Sequence, residues 1–152
     1  MKKFQFKLKA LLTYREHIEK MAKEEVAKVQ LEINNCVESI CKYENRIHLN
    51  ELAFEKKIGE GISAEEHSFY MAHLKGLKIK IAAERELLEK LEIILHNKQE
   101  ELTKKSVSRK VIENLKEKKK TEYYDYLDKQ AMKEADEMVL ISRSFNEKSN
   151  TS

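Results

Sequence analysis

Gly59-Glu60-Gly61-Ile62-Ser63 is the stretch that decides how this chain folds, since it holds two of only three glycines in a sequence of 152 residues that lacks proline. Glycine tolerates the positive φ at which helices commonly stop. Ser63, followed three residues later by Glu66, has the spacing of a capping box that opens a helix. One helix is therefore expected to end near Ile58 and another to begin near Ala64. A connection this short folds the two back on each other as an antiparallel pair. The expected fold class is all-α, a long antiparallel two-helix coiled-coil hairpin. It forms one domain over residues 1–145, with arms over about 3–58 and 64–145 and a turn at 59–63, followed by a disordered tail over 146–152.

Both arms carry the seam that such a hairpin needs. In the first, Phe4, Leu8, Leu11, Arg15, Ile18, Ala22, Val26, Val29, Ile33, Cys36, Ile40, Tyr43 and Ile47 recur in steps of three and four, continuing more weakly through Asn50, Phe54 and Ile58. In the second, the same steps run through Tyr70, Leu74, Leu77, Ile81, Glu84, Leu88, Leu91, Leu95, Lys98 and Leu102. This is the heptad alternation of a coiled coil, sustained far beyond an ordinary amphipathic helix. Past Leu102 the register loosens, with Arg109, Ile112, Leu115, Tyr123, Leu127, Met138 and Ile141 as the apolar thread. Glu16 with Lys20, Glu19 with Lys23 and Glu24 with Lys28 are (i, i+4) pairs expected on the outside of the first arm, each adding about 0.2–0.5 kcal/mol.

Folding about the turn sets residue i opposite roughly 122 minus i, so Phe4 is expected near Lys118 and residues 120–145 are expected to overhang. A solitary helix exposing Tyr123, Tyr124, Tyr126 and Met138 is poorly stable. The overhang should therefore fray or meet another protein.

Composition argues against several functions. Charged residues make up 38% and aromatics 7%, a profile of long helices that bury a narrow seam. The formal net charge of +3 comes from 30 basic and 27 acidic residues that read as intermixed, with only Lys116 and Lys118 to Lys120 clustering, so no nucleic-acid partner is expected. No apolar run approaches the roughly 20 residues that a membrane span needs. Lys7, Lys9 and Arg15 interrupt the N-terminus before it can form the apolar core of a signal peptide, which leads to a cytoplasmic expectation. Cys36 and Cys41 are five apart, roughly 140° around a helix, so they neither bond to each other nor share a metal and read as small fillers in a reducing compartment.

Chemistry is scarce. The sequence has no phosphate-cradling glycine loop and no nucleophile motif, and His17, His48, His67, His73 and His96 do not fall at ligand spacing. Glu65 and Glu66 suit a helix N-terminus for dipole reasons alone. The expectation is a non-enzyme with no cofactor, no metal and no small-molecule substrate. Aromatics near the turn are the better lead. Tyr43 and Tyr70 fit the seam, whereas Phe69 and His73 fit it less well and could present an apolar patch to a partner.

The termini carry a resemblance. The opening Phe4-Gln5-Phe6-Lys7-Leu8-Lys9-Ala10-Leu11-Leu12-Thr13-Tyr14-Arg15-Glu16-His17-Ile18-Glu19-Lys20-Met21-Ala22 reads F-x-F-x-L-x-x-L-L-x-x-R-x-x-x-E-x-x-A, and Lys133-Glu134-Ala135-Asp136-Glu137 reads K-x-x-D-E, with Arg143 beyond it. Together, around a hairpin of this length, they resemble the FliJ family of flagellar type III export stalks. The resemblance implies a stalk that inserts into the hexameric export ATPase FliI, contacts the export gate protein FlhA and has links to export chaperones. It implies a position in the cytoplasm at the inner face of the membrane, held there by the export apparatus. Carried onto this chain, it implies an ATPase-binding end with Phe4, Phe6, Leu8, Leu11, Arg15, Tyr123, Tyr126, Asp136, Glu137 and Met138. It implies a gate-binding end with Tyr43, Phe69, Tyr70, His73 and Leu77. The residues alone leave two alternatives open: the YscO-like stalk of the virulence injectisome, and a generic coiled-coil scaffold or dimerisation protein.

Overall fold

A computed structural model describes residues 2–151. It contains two helices, α1 (Lys9–Glu60) and α2 (Ala64–Asn150), which form an antiparallel coiled-coil hairpin with no strand among the described residues. Gly61 makes the reversal at φ +89°, a conformation that a Cβ would strain, and its N–H donates to the Ile58 carbonyl at 3.2 Å. Ser63 then caps α2. Its hydroxyl oxygen accepts from the Glu66 N–H at 3.2 Å, and Glu65 and Glu66 place negative charge at the positive end of the helix dipole.

Within the hairpin, contacts gather into two compact units, one of Ile18–Lys105 and one of Met1–His17 with Ser106–Ser152. In the first, Val29, Ile33, Cys36 and Ile40 of α1 pack with Ile81 and Leu91 of α2, flanked by Tyr43, Ile47, Leu88 and Leu95. All of these are seam positions. Burying an aliphatic side chain of this kind contributes about 1.5–3 kcal/mol, so a handful outweighs every surface ion pair. The cross-helix pairs Cys36 with Glu84, Glu25 with Lys98 and Phe54 with Tyr70 lie close to the expected register. Ile58, the last and weakest seam position of the first arm, is exposed.

Polar groups in this unit depart from the simplest expectation. Glu19 is only 6% exposed, so it faces inward and not to the outside, although its carboxylate does lie 3.0 Å from Lys23 Nζ. Lys98 Nζ donates to Glu25 Oε2 at 2.8 Å; this contact holds the Glu25 carboxyl below its usual range and the Lys98 amine above its own. The contribution of Glu25 is therefore present at neutral pH and is lost on acidification through the carboxylate range. The Cys36 thiol donates to the Glu84 carbonyl oxygen at 3.1 Å and to Glu84 Oε2 at 3.2 Å, and burial followed by Glu84 pushes its pKa up. Cys36 is a filler as expected. Cys41 is not, since it is exposed.

The second unit holds the differences at the chain ends. α1 begins at Lys9, where the heptad reading began the arm near Lys3. The first turn of α1 has no acidic residue, and Lys7 and Lys9 would crowd positive charge at the positive end of the dipole, so helix is disfavoured there. Lys2 to Phe6 is instead non-helical. At the other end α2 runs through Asn150, into the stretch read as a tail, since no glycine or proline stops it.

Replacing Leu77, 2% exposed, with alanine is expected to cost about 2–5 kcal/mol in urea unfolding, while Lys90→Ala on the solvated face changes stability by less than about 0.5 kcal/mol. Equal losses would mean that the seam is misassigned. With a thiol reagent at neutral pH, Cys41 should react at once and Cys36 only as the hairpin opens. Simultaneous labelling, resolved by peptide mass, would contradict the buried thiol.

Candidate functional site

Two places present groups that a partner could use. The first lies in the unit of Met1–His17 with Ser106–Ser152. A helix advances only about 1.5 Å per residue, so a segment that is not coiled into a helix can reach further along α2 than a helical arm would. Phe4 therefore meets Tyr123, ring centroids 5.7 Å apart, and not the region of Lys118. The Tyr123 hydroxyl donates to the Lys2 carbonyl oxygen, and Tyr124 packs edge-on against Tyr123 at 5.6 Å. Between the segment and α2 lies a cleft of 1110 Å³, with Phe4, Phe6, Leu8, Leu115, Tyr123 and Tyr126 on its apolar surfaces. Lys2, Lys3, Lys7 and Lys119 also line it.

Five of the ten expected ATPase-end residues thus share one cleft: Phe4, Phe6, Leu8, Tyr123 and Tyr126. Leu11 and Arg15 are half-buried on α1, and the Arg15 Nε is buried with no hydrogen-bond partner. Asp136, Glu137 and Met138 are outside the cleft, on the stretch of α2 from Ala131 to Thr151 in which every residue is exposed. The overhang was expected from residue 120. It begins some ten residues later, because the non-helical segment lies beside α2 as far as the cleft that Tyr126 lines. Half-buried Leu127 and then exposed Met138, Ile141 and Phe145 continue the helical stripe of Ile112 and Tyr123, so beyond Ala131 the seam runs on with nothing across from it among the described residues. Met138 and Phe145 are 73% and 75% exposed.

The second place is the turn end of the unit Ile18–Lys105. Phe54 lies between His67 and Tyr70, each ring 5.5 Å away, and Phe69 stands edge-on to Tyr70 at 6.3 Å. Phe69 is 72% exposed, and Leu49, Leu52 and Met71 are exposed on neighbouring turns of the two helices. Tyr43 is half-buried, with Lys80 Nζ and the Arg46 guanidinium 5.8 and 5.9 Å from its ring centroid. Of the expected gate-end residues, His73 and Phe69 are exposed and Tyr43 and Tyr70 half-buried, while Leu77 is core and offers no surface. Among the described residues no group of three or more His, Cys, Asp or Glu could hold a metal ion, and no helix is long and apolar enough to cross a membrane.

A family model described as Flagellar FliJ protein matches residues 4–148. The chain belongs to the FliJ family. No curated protein and no solved structure matches it. The match begins at Phe4, so it takes in the cleft-forming segment, and it runs through the exposed seam to Lys148. Membership makes this chain a component of flagellar protein export. Sequence reading of this FliJ-family chain placed Phe54 only as a weak seam position and missed its tilted ring contact with His67, and it missed Lys2, Lys3 and Lys7 as site residues, which become notable once folding sets them beside Lys119.

Phe4→Ala should release residues 2–8 from α2. Limited proteolysis is then expected to clip the N-terminus at least tenfold faster, with helix content unchanged by circular dichroism; an unaltered cleavage rate would show that the aromatic contact does not hold the segment.

Proposed function

We propose that this FliJ-family chain is the stalk of the export apparatus, binding the hexameric export ATPase with its terminal end and the export gate with its turn end. One observation carries the reading: the seam of α2 continues through Met138, Ile141 and Phe145 with no arm of its own chain to cover it. An isolated helix gains little from propensity alone, and this one exposes large apolar side chains that a partner would bury. The cleft beside it supplies further apolar anchors from Phe4, Phe6 and Tyr126. At the turn, the exposed ring of Phe69 offers a separate apolar contact suited to a second partner. The chain itself performs no catalysis in this role; it promotes the ring and couples it to the gate, at the inner face of the membrane and within reach of export chaperones.

Two variants divide the labour. Deletion of residues 131–150 should abolish stimulation of the purified cognate ATPase while the remaining hairpin keeps its helicity. Phe69→Ala with His73→Ala should stimulate the ATPase normally and fail to restore motility to a strain lacking this chain. The opposite pattern would reverse the polarity, and full function in both variants would defeat the assignment.

A further inference from the structure

Charge is distributed along this chain in a way that only folding reveals. Residues 2–17 and 106–120, which belong to one unit, hold eleven lysines and arginines against three carboxylates. The next stretch of α2, residues 121–137, reverses the balance with six carboxylates against two lysines. The basic group surrounds the aromatic cleft: Lys2, Lys3, Lys7 and Lys119 line it, and Lys9 and Lys116 line the neighbouring hollow beside Phe4 and Phe6. Lys119 has Glu122 at 3.5 Å, whereas Lys2, Lys3, Lys7, Lys9 and Lys116 have no carboxylate within ion-pair distance among the described residues. Self-repulsion among so many cations costs stability unless an opposing surface offsets it.

We propose that the terminal end of this chain docks on an acidic protein surface that inserts an apolar side chain into the cleft, and that this surface is the part of the export ATPase ring that receives it. The inference rests on the ring-binding reading above and adds the chemistry of the contact. Concavity favours a protein, since a cleft of 1110 Å³ lined by Phe4, Phe6 and Tyr126 accepts a protruding side chain, which a flat bilayer does not offer. The reversal of charge favours it further. A membrane or a nucleic acid presents negative charge throughout and would repel Asp125, Asp128, Glu134, Asp136 and Glu137 at the same time as it attracted the lysines. A folded partner can set an acidic band against the lysines and a basic one against those carboxylates. Complementarity of this patterned kind selects the partner and speeds encounter more than it adds affinity.

The test uses the full chain and its purified ATPase, with binding measured across a salt series. Lys3→Gln, Lys7→Gln and Lys119→Gln combined should weaken binding by about tenfold or more at low salt and flatten its salt dependence, with circular dichroism unchanged. Glu134→Lys with Asp136→Lys should weaken it independently. Vesicles of phosphatidylglycerol and phosphatidylcholine, and a DNA duplex, form the other arms. Binding to either as tight as to the ATPase would overturn the proposal in favour of a uniform polyanion. ATPase binding indifferent to salt and to the lysines would overturn it while leaving the ring reading intact. No association with the ATPase in any buffer would bring down the ring reading, and the proposal with it.

Discussion

Burial of one narrow apolar stripe on each helix is the interaction on which the rest of this structure depends. In the unit Ile18–Lys105, Val29, Ile33, Cys36 and Ile40 have no neighbours able to exclude water except the facing stripe of α2, with Ile81 and Leu91 at its centre. Each helix alone would leave that stripe wet, and neither is held by surface ion pairs, which contribute little when exposed. Gly61 makes the pairing intramolecular, and the length of the turn fixes which residue meets which. The half-buried Lys98 shows how strongly the stripe dominates: a lysine is tolerated on the seam because Glu25 meets it at 2.8 Å at the edge.

The seam was legible because its signal is local and repeated. A three-four alternation over many turns has one structural explanation, and the positions it picked out, from Ile18 to Phe54 and from Tyr70 to Leu102, are buried or half-buried. The N-terminal segment was misread because a short run carries two periodicities at once. Phe4, Leu8 and Leu11 fit a helix, while Phe4, Phe6 and Leu8 alternate with a period of two, and the dipole penalty of Lys7 and Lys9 keeps Lys2 to Phe6 out of the helix. Glu19 misled for a different reason: its (i, i+4) spacing to Lys23 predicts their ion pair but not which side of the helix holds it.

The candidate surfaces were legible in part. Five of the residues expected at the ATPase end line one cleft, although the reach of the non-helical segment, and with it the start of the overhang, could not be obtained by counting helical turns. At the turn, Tyr43 and Tyr70 resolve toward the seam, and Leu77 wholly so, leaving Phe69 as the prominent exposed aromatic. The gathering of lysines needed two distant stretches brought together, so composition read along the line showed only mixed charge. What unequal arms accomplish here is a separation of tasks. Paired helix holds the fold, and unpaired seam is left, in the role proposed above, for a partner.

The phase relation between the two helices also restricts how such a chain can change in length. One residue inserted between Ile18 and Lys105 turns everything beyond it by about 100° about the helix axis, moving the apolar stripe out of the interface from that point to the turn. Gains and losses there are tolerable only in lengths that restore the phase, about seven or eleven residues, and only when both helices change together. Beyond Ala131 no facing helix has to be kept in step. Drift in length within this lineage should therefore collect at the C-terminus, while the span on either side of Gly61 changes in quantised, matched steps.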